Sequence, residues 1–169
     1  MALHEYFTAS LAIGRLLAGW SHLYRHTAVN TAVTYLHLVG IMVGGGVAVT
    51  ADRASLRLSP ATPDWSAELA RLAGVHRWVL TGLGLIFATG SLMALADLDG
   101  VMTSVVFWVK MGLVGLLLAN GYLRMRSETA LRQGGGASNA WTGFRRTSAA
   151  SLALWFAVLL AGALLHSTL

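Results

Sequence analysis

Two ionisable side chains lie inside long apolar stretches of this chain, His37 and Lys110. In hydrocarbon a charged or titratable group is costly, and where one is kept it marks a functional position by default. An imidazole can ligate a metal or haem iron or carry a proton. A buried amine can pair with an anionic group while charged. Once desolvation has removed its proton, it can act as a base or ligand. The two fall at a common depth: His37 is about seven residues from the outer end of the first apolar span and Lys110 about eight from that of the third, roughly 11–12 Å at the helical rise. In the second span Thr89 and Ser91 reach that layer with hydroxyls, while the fourth offers only Ala161 and Gly162 there. A polar pocket walled by His37, Thr89, Ser91 and Lys110 is therefore expected. Gly40 and Gly44 follow His37 at i+3 and i+7 on one helix face. That strip leaves room for a porphyrin under the imidazole, or it serves as a helix-packing surface. Simpler roles are also open: His37 hydrogen-bonding a neighbouring helix, Lys110 snorkelling to the interface, or the pair serving a proton, an ion or a quinone.

The elements that must position these residues are membrane helices. Apolar residues make up 56% of the 169 positions and charged residues 11%, with a mean hydropathy of +0.63, well outside the usual range of a soluble domain. Four stretches suffice to cross a hydrocarbon core of about 30 Å, near 30–51, 78–96, 102–123 and 147–165. The expected fold is all-α: an integral membrane four-helix bundle forming one membrane domain over 1–169, preceded at 6–24 by an amphipathic helix along the interface. A fifth, weakly hydrophobic crossing is the alternative for 6–24. Met1 to Thr8 lacks the basic start of a secretory signal and is expected to be retained.

The net charge of +5 has its explanation in topology rather than nucleic acid. Arg53, Arg57, Arg71, Arg77, Arg124, Arg126, Arg132, Arg145 and Arg146 fall on one side of the spans, against Arg15 and Arg25 on the other. By the positive-inside rule the Arg-rich loops are cytoplasmic and both termini outside, in a bacterial inner membrane. Between the spans, Thr62-Pro63-Asp64 ahead of Trp65 reads as the start of an N-capped surface helix, and the glycine-rich run from Gln133 to Asn139 as a flexible linker. Asp52 is expected to pair with Arg53 or Arg77, and His76 to lie in the headgroup region. The six tryptophans mostly mark the interfaces; Trp108 and Trp155 lie deeper, where with Phe107 they can line a cofactor pocket or meet lipid.

The absence of cysteine excludes disulfides, thiolate metal sites and iron–sulfur clusters. His22 and His26, at i, i+4, have the spacing by which two imidazoles bind one ion. With His4 and His166 on the same outer side they are candidates for copper or zinc.

The run from His37-Leu38-Val39-Gly40 through Gly46 to Asp52-Arg53, the pair Thr89-Gly90, and Phe107-Trp108-Val109-Lys110 through Asn120-Gly121-Tyr122-Leu123 resemble a broad bacterial group of small four-span proteins. It includes the HemJ-type protoporphyrinogen oxidases and the copper-resistance D membrane domains. HemJ-type proteins usually carry Trp, Tyr and Pro in the first-span motif, where this chain has Val43, Ala48 and Ala51. Over residues 30 to 125 the resemblance implies a four-helix bundle, a b-type haem at His37, which would also be its metal ligand, and Lys110 as a functional, catalytic partner. Three functional expectations follow: a haem protein exchanging electrons with a membrane-soluble partner such as a quinone, an accessory or pigment-holding subunit of a larger membrane complex, and a small metal-handling or transport protein.

Overall fold

Glycine decides how the helices of this bundle meet. In a computed structural model that describes residues 14–133 and 138–168, the first span runs as α2 (Thr27–Gly40), a π-helical turn (Ile41–Gly46) and α3 (Val47–Arg57). Against it packs α5 (His76–Ala96). A Cβ on Gly82 of α5 would come within 2.4 Å of Gly44 Cα, and one on Gly40 within 2.9 Å of the Ile86 side chain. Only hydrogen fits there, so the two backbones approach to contact, the form of packing that stabilises helix pairs in lipid. The wider π turn carries Gly44, Gly45 and Gly46, and the Trp155 ring fills the space over Gly45.

The remaining helices complete an up-and-down arrangement. A one-turn linker at 74–75 joins α4 (Trp65–Ala73) to α5, and α6 (Leu98–Thr103) leads into α7 (Val105–Gln133), which packs along α8 (Ser138–Thr168). Between them α2–α3 holds α5 on one side and α8 on the other. Four helices, Thr27–Arg57, Trp65–Ala96 with its short interruption, Val105–Gln133 and Asn139–Ser167, are long and apolar enough to cross a membrane. The all-α four-helix membrane bundle is thus as expected.

Several boundaries differ. The third span begins at Val105 rather than 102, because Asp97 caps a separate turn by accepting from Gly100 N–H at 3.2 Å. At the Arg-rich end α7 and α8 continue as helix well past 123 and before 147. The reason is a second apolar core of Leu58, Leu69, Leu131, Trp141 and Phe144, which rewards continued helix outside the hydrocarbon. α4 lies on the surface as expected, with Leu69 alone fully buried in that core. Asp64 adopts a left-handed conformation, φ 51°, and makes no side-chain cap; the short Asp side chain is among the few that tolerate this. Residues 14–24 form a helix, α1, held to the C-terminal end of α5 by Trp20 Nε1 donating to the Leu92 carbonyl at 2.8 Å. Residues 6–13 of the expected interfacial helix, the retained start Met1 to Thr8, and residues 134–137 of the linker lie outside the described residues.

Substituting Gly82→Ala should therefore push α2 and α5 apart and cost about 1–3 kcal/mol, the usual range for overpacking. Gly112→Ala and Gly115→Ala, whose added methyls meet nothing within 4 Å, should be neutral or slightly stabilising. Unfolding in detergent, followed by circular dichroism, distinguishes the two outcomes.

Candidate functional site

His37 projects from α2 toward α5, and its Nδ1 lies 2.8 Å from Thr89 Oγ1. Thr89 is buried, and its single hydroxyl proton goes to the Leu85 carbonyl at 2.6 Å. The hydroxyl oxygen must then accept from the imidazole, which fixes the proton on Nδ1. In the neutral ring the lone pair is then on Nε2, and the Ile86 backbone is a further hydrogen-bond partner of the ring. This is how a histidine is oriented for a ligand when its second nitrogen is tied to an acceptor. Gly90 gives the ring room, since a Cβ there would stand 3.3 Å from His37 Cε1.

Lys110 reaches the same layer from α7. Its Nζ rests over Gly162 of α8, 3.4 Å from where a Cβ would be, and its charge acts on His37. No ion pair reaches it among the described residues. His37, Thr89, Gly90, Lys110 and Gly162 thus gather at one depth from four helices. Ser91 does not join them: two positions beyond Thr89, it is turned about 200° round the helix. Gly40 and Gly44 lie below His37, but the space beside them is filled by Gly82, Leu83 and Ile86 of α5. The strip is a packing surface, with no free wall for a flat ligand. Of the deeper tryptophans, Trp155 is buried in the bundle core and Trp108 faces outward, 55% exposed.

The histidines expected to bind copper or zinc are further apart in role. The rings of His22 and His26 meet edge to face at 5.7 Å, both exposed, as is His166; His4 lies outside the described residues. Among the described residues no group of three His, Asp or Glu side chains is placed to hold a metal ion. An open cleft of about 640 Å³ between α1 and the α5–α6 turn is lined by none of the expected site residues.

At the other end is a polar cluster that the sequence reading missed. Asp52 pairs with Arg124, Nε to Oδ1 2.9 Å, rather than with Arg53 or Arg77, because Arg124 faces into the bundle from α7. Both are buried. Arg124 also donates to Ser55 Oγ at 2.7 Å and Ser148 Oγ at 3.3 Å and lies over the Phe144 ring. Ser151 donates to Asp52. His76, expected among headgroups, sits 4.0 Å from Glu128. The signal that could have found this cluster is the i, i+4, i+8 series Arg124, Glu128, Arg132 on one face of α7. Comparison with family models, with curated proteins and with solved structures finds no match to the chain.

Two outcomes follow. Asp52→Ala, which leaves the Arg124 guanidinium buried without its counter-charge, should cost about 3–5 kcal/mol, measured by denaturant unfolding in detergent. Thr89→Val, which keeps the shape but removes the acceptor, should release the His37 tautomer. Nitrogen-15 NMR of the ring should show a proton fixed on Nδ1 in the wild type and an exchanging mixture in the variant.

Proposed function

We propose that this chain is a haem-binding membrane bundle that takes part in electron transfer or redox chemistry with a membrane-soluble partner such as a quinone. The observation that carries the reading is the His37 imidazole, tied to Thr89 through Nδ1, with the Lys110 amine in the same layer. The donor set suits the group: an imidazole with one nitrogen tied back is the common axial ligand of b-type haem. His37 would ligate the iron, and Lys110 would meet an anionic group, a propionate or a substrate, or serve as the base of the reaction. A porphyrin would have to lie away from the closed Gly40–Gly44 face. Bound haem would supply one-electron redox chemistry, while this chain supplies orientation and tuning. The nine-to-two distribution of arginines supports a bacterial inner-membrane location with the Arg-rich end cytoplasmic and both termini outside.

A second reading, an accessory subunit of a larger membrane complex, is favoured by the outward face of α7. There Trp108, Leu116, Leu118 and Tyr122 are exposed beside Gly112 and Gly115, which no neighbour occupies. The reading of the outer histidines as a copper or zinc site has only the His22–His26 contact behind it.

An absorption spectrum of detergent-solubilised protein separates these. Haem-replete expression should give a Soret band that His37→Ala abolishes, and Thr89→Val should weaken haem binding about 10–100-fold, as loss of an outer-shell partner does. Colourless wild-type protein from such cells would reject the haem reading, and stoichiometric copurification of larger subunits would then support the second.

A further inference from the structure

The cleft between α1 and the α5–α6 turn brings charges of both signs together beside apolar lining. It holds about 640 Å³, within the range of about 300–1,000 Å³ common to small-molecule sites. Trp20 sets its position. The indole donates to the Leu92 carbonyl of α5 at 2.8 Å, and its ring packs 5.8 Å from that of Tyr24. This places Tyr24, and Arg25 after it, on the α1 side of the cleft. On the other side stand Asp97 and Asp99, from the turn where the apolar run of α5 ends. Leu17 of α1 and Met93 and Leu95 of α5 supply apolar lining. Asp97 spends Oδ1 on the Gly100 N–H at 3.2 Å. Among the described residues neither Arg25 nor either aspartate enters an ion pair. Opposite charges thus share one cleft without neutralising each other.

We propose that this cleft binds the headgroup of a zwitterionic phospholipid, with its phosphate on Arg25 and Tyr24 and its ammonium on Asp97 and Asp99. The charge pattern selects that ligand. One guanidinium against two carboxylates leaves the cleft with one net negative charge, which disfavours a purely anionic lipid. A simple cation would meet the carboxylates but be repelled by Arg25. A molecule that carries both charges satisfies both sides at once. The planar guanidinium matches phosphate oxygens, the Tyr24 hydroxyl adds a donor, and an ammonium donates to carboxylates through charge-assisted hydrogen bonds. The setting selects a lipid over a soluble zwitterion. Ala96 is the last residue of α5, so Asp97 and Asp99 stand where hydrocarbon gives way to headgroups. Leu17, Met93 and Leu95 offer apolar surface to the glycerol and the first acyl carbons. The three charged side chains are exposed and keep their water until a headgroup replaces it. This cleft lies at the end of α5 away from the arginine cluster, and the proposal does not rest on the haem reading.

The test is fluorine NMR of the full chain in detergent, labelled with 3-fluorotyrosine at its 4 tyrosines, with the Tyr24 signal assigned by Tyr24→Phe. This reads the cleft alone, apart from any lipid held by the arginines at the other end. Phosphatidylethanolamine should shift the Tyr24 signal saturably, and phosphatidylglycerol should need about fivefold more lipid for the same shift, the worth of one charge contact at a membrane surface. Arg25→Gln should weaken phosphatidylethanolamine binding by about the same factor. Asp99→Asn should weaken it too while strengthening that of phosphatidylglycerol, a reversal that a merely loosened α1 would not produce. The chain-free headgroup glycerophosphoethanolamine should leave the signal in place at the same concentrations. A Tyr24 signal that phosphatidylethanolamine does not move, that both lipids move alike, or that titrates unchanged in both variants would overturn the proposal. So would a chain-free headgroup that binds as tightly as the lipid, which would make this a site for a soluble zwitterion. Should a variant fail to fold, the wild-type titrations with the three ligands decide.

Discussion

The contact between Gly44 and Gly82 sets the geometry on which everything else in the bundle depends. In lipid the solvent gives helices little reason to associate, so close backbone approach has to supply the attraction. Here that approach is so tight that no Cβ fits on Gly82. It fixes α5 against α2 in one register, and that register places Thr89 within hydrogen-bonding distance of His37 two turns further along α5. The π turn belongs to the same device. It widens the first span where its three glycines fall and lets the Trp155 ring fill the space, one turn from the candidate ligand. Such turns recur near functional sites because they re-aim a helix without breaking it.

The layer holding His37 and Lys110 was legible in the sequence because depth in a membrane helix is a matter of counting residues. Thr89 and Gly162 emerged from the same count. Ser91 did not hold, because a count along the axis ignores rotation about it. The glycine strip was ambiguous for a related reason: small residues at i, i+4 signal a close neighbour without saying whether it is a helix or a ligand. The structure places α5 there. The arginine cluster was harder to see. Arg124 and Arg132 looked like two more charges in a basic loop, and nothing in the pattern of side-of-membrane charge distinguishes an arginine facing water from one buried beside a carboxylate. The helical continuation of α7 past Leu123 is what turns them inward, and it is driven by Leu131, Trp141 and Phe144, apolar residues outside any hydrophobic run long enough to register as a span.

The chain therefore holds two polar layers of different character. One is sparse, with an imidazole, a hydroxyl and an amine that has no counter-ion among the described residues. The other is dense, and its charges are matched. A matched buried ion pair adds little net stability but is costly to break, so the dense layer fixes how α3, α7 and α8 meet.

The lengths of α7 and α8 have a mechanical consequence. With 29 and 31 residues, each spans roughly 45 Å, about 15 Å more than a hydrocarbon core needs. Most of the surplus lies at the arginine-bearing end, where it forms a stiff pedestal. A change in bilayer thickness can then be met by wetting more or less of that pedestal rather than by tilting the helices.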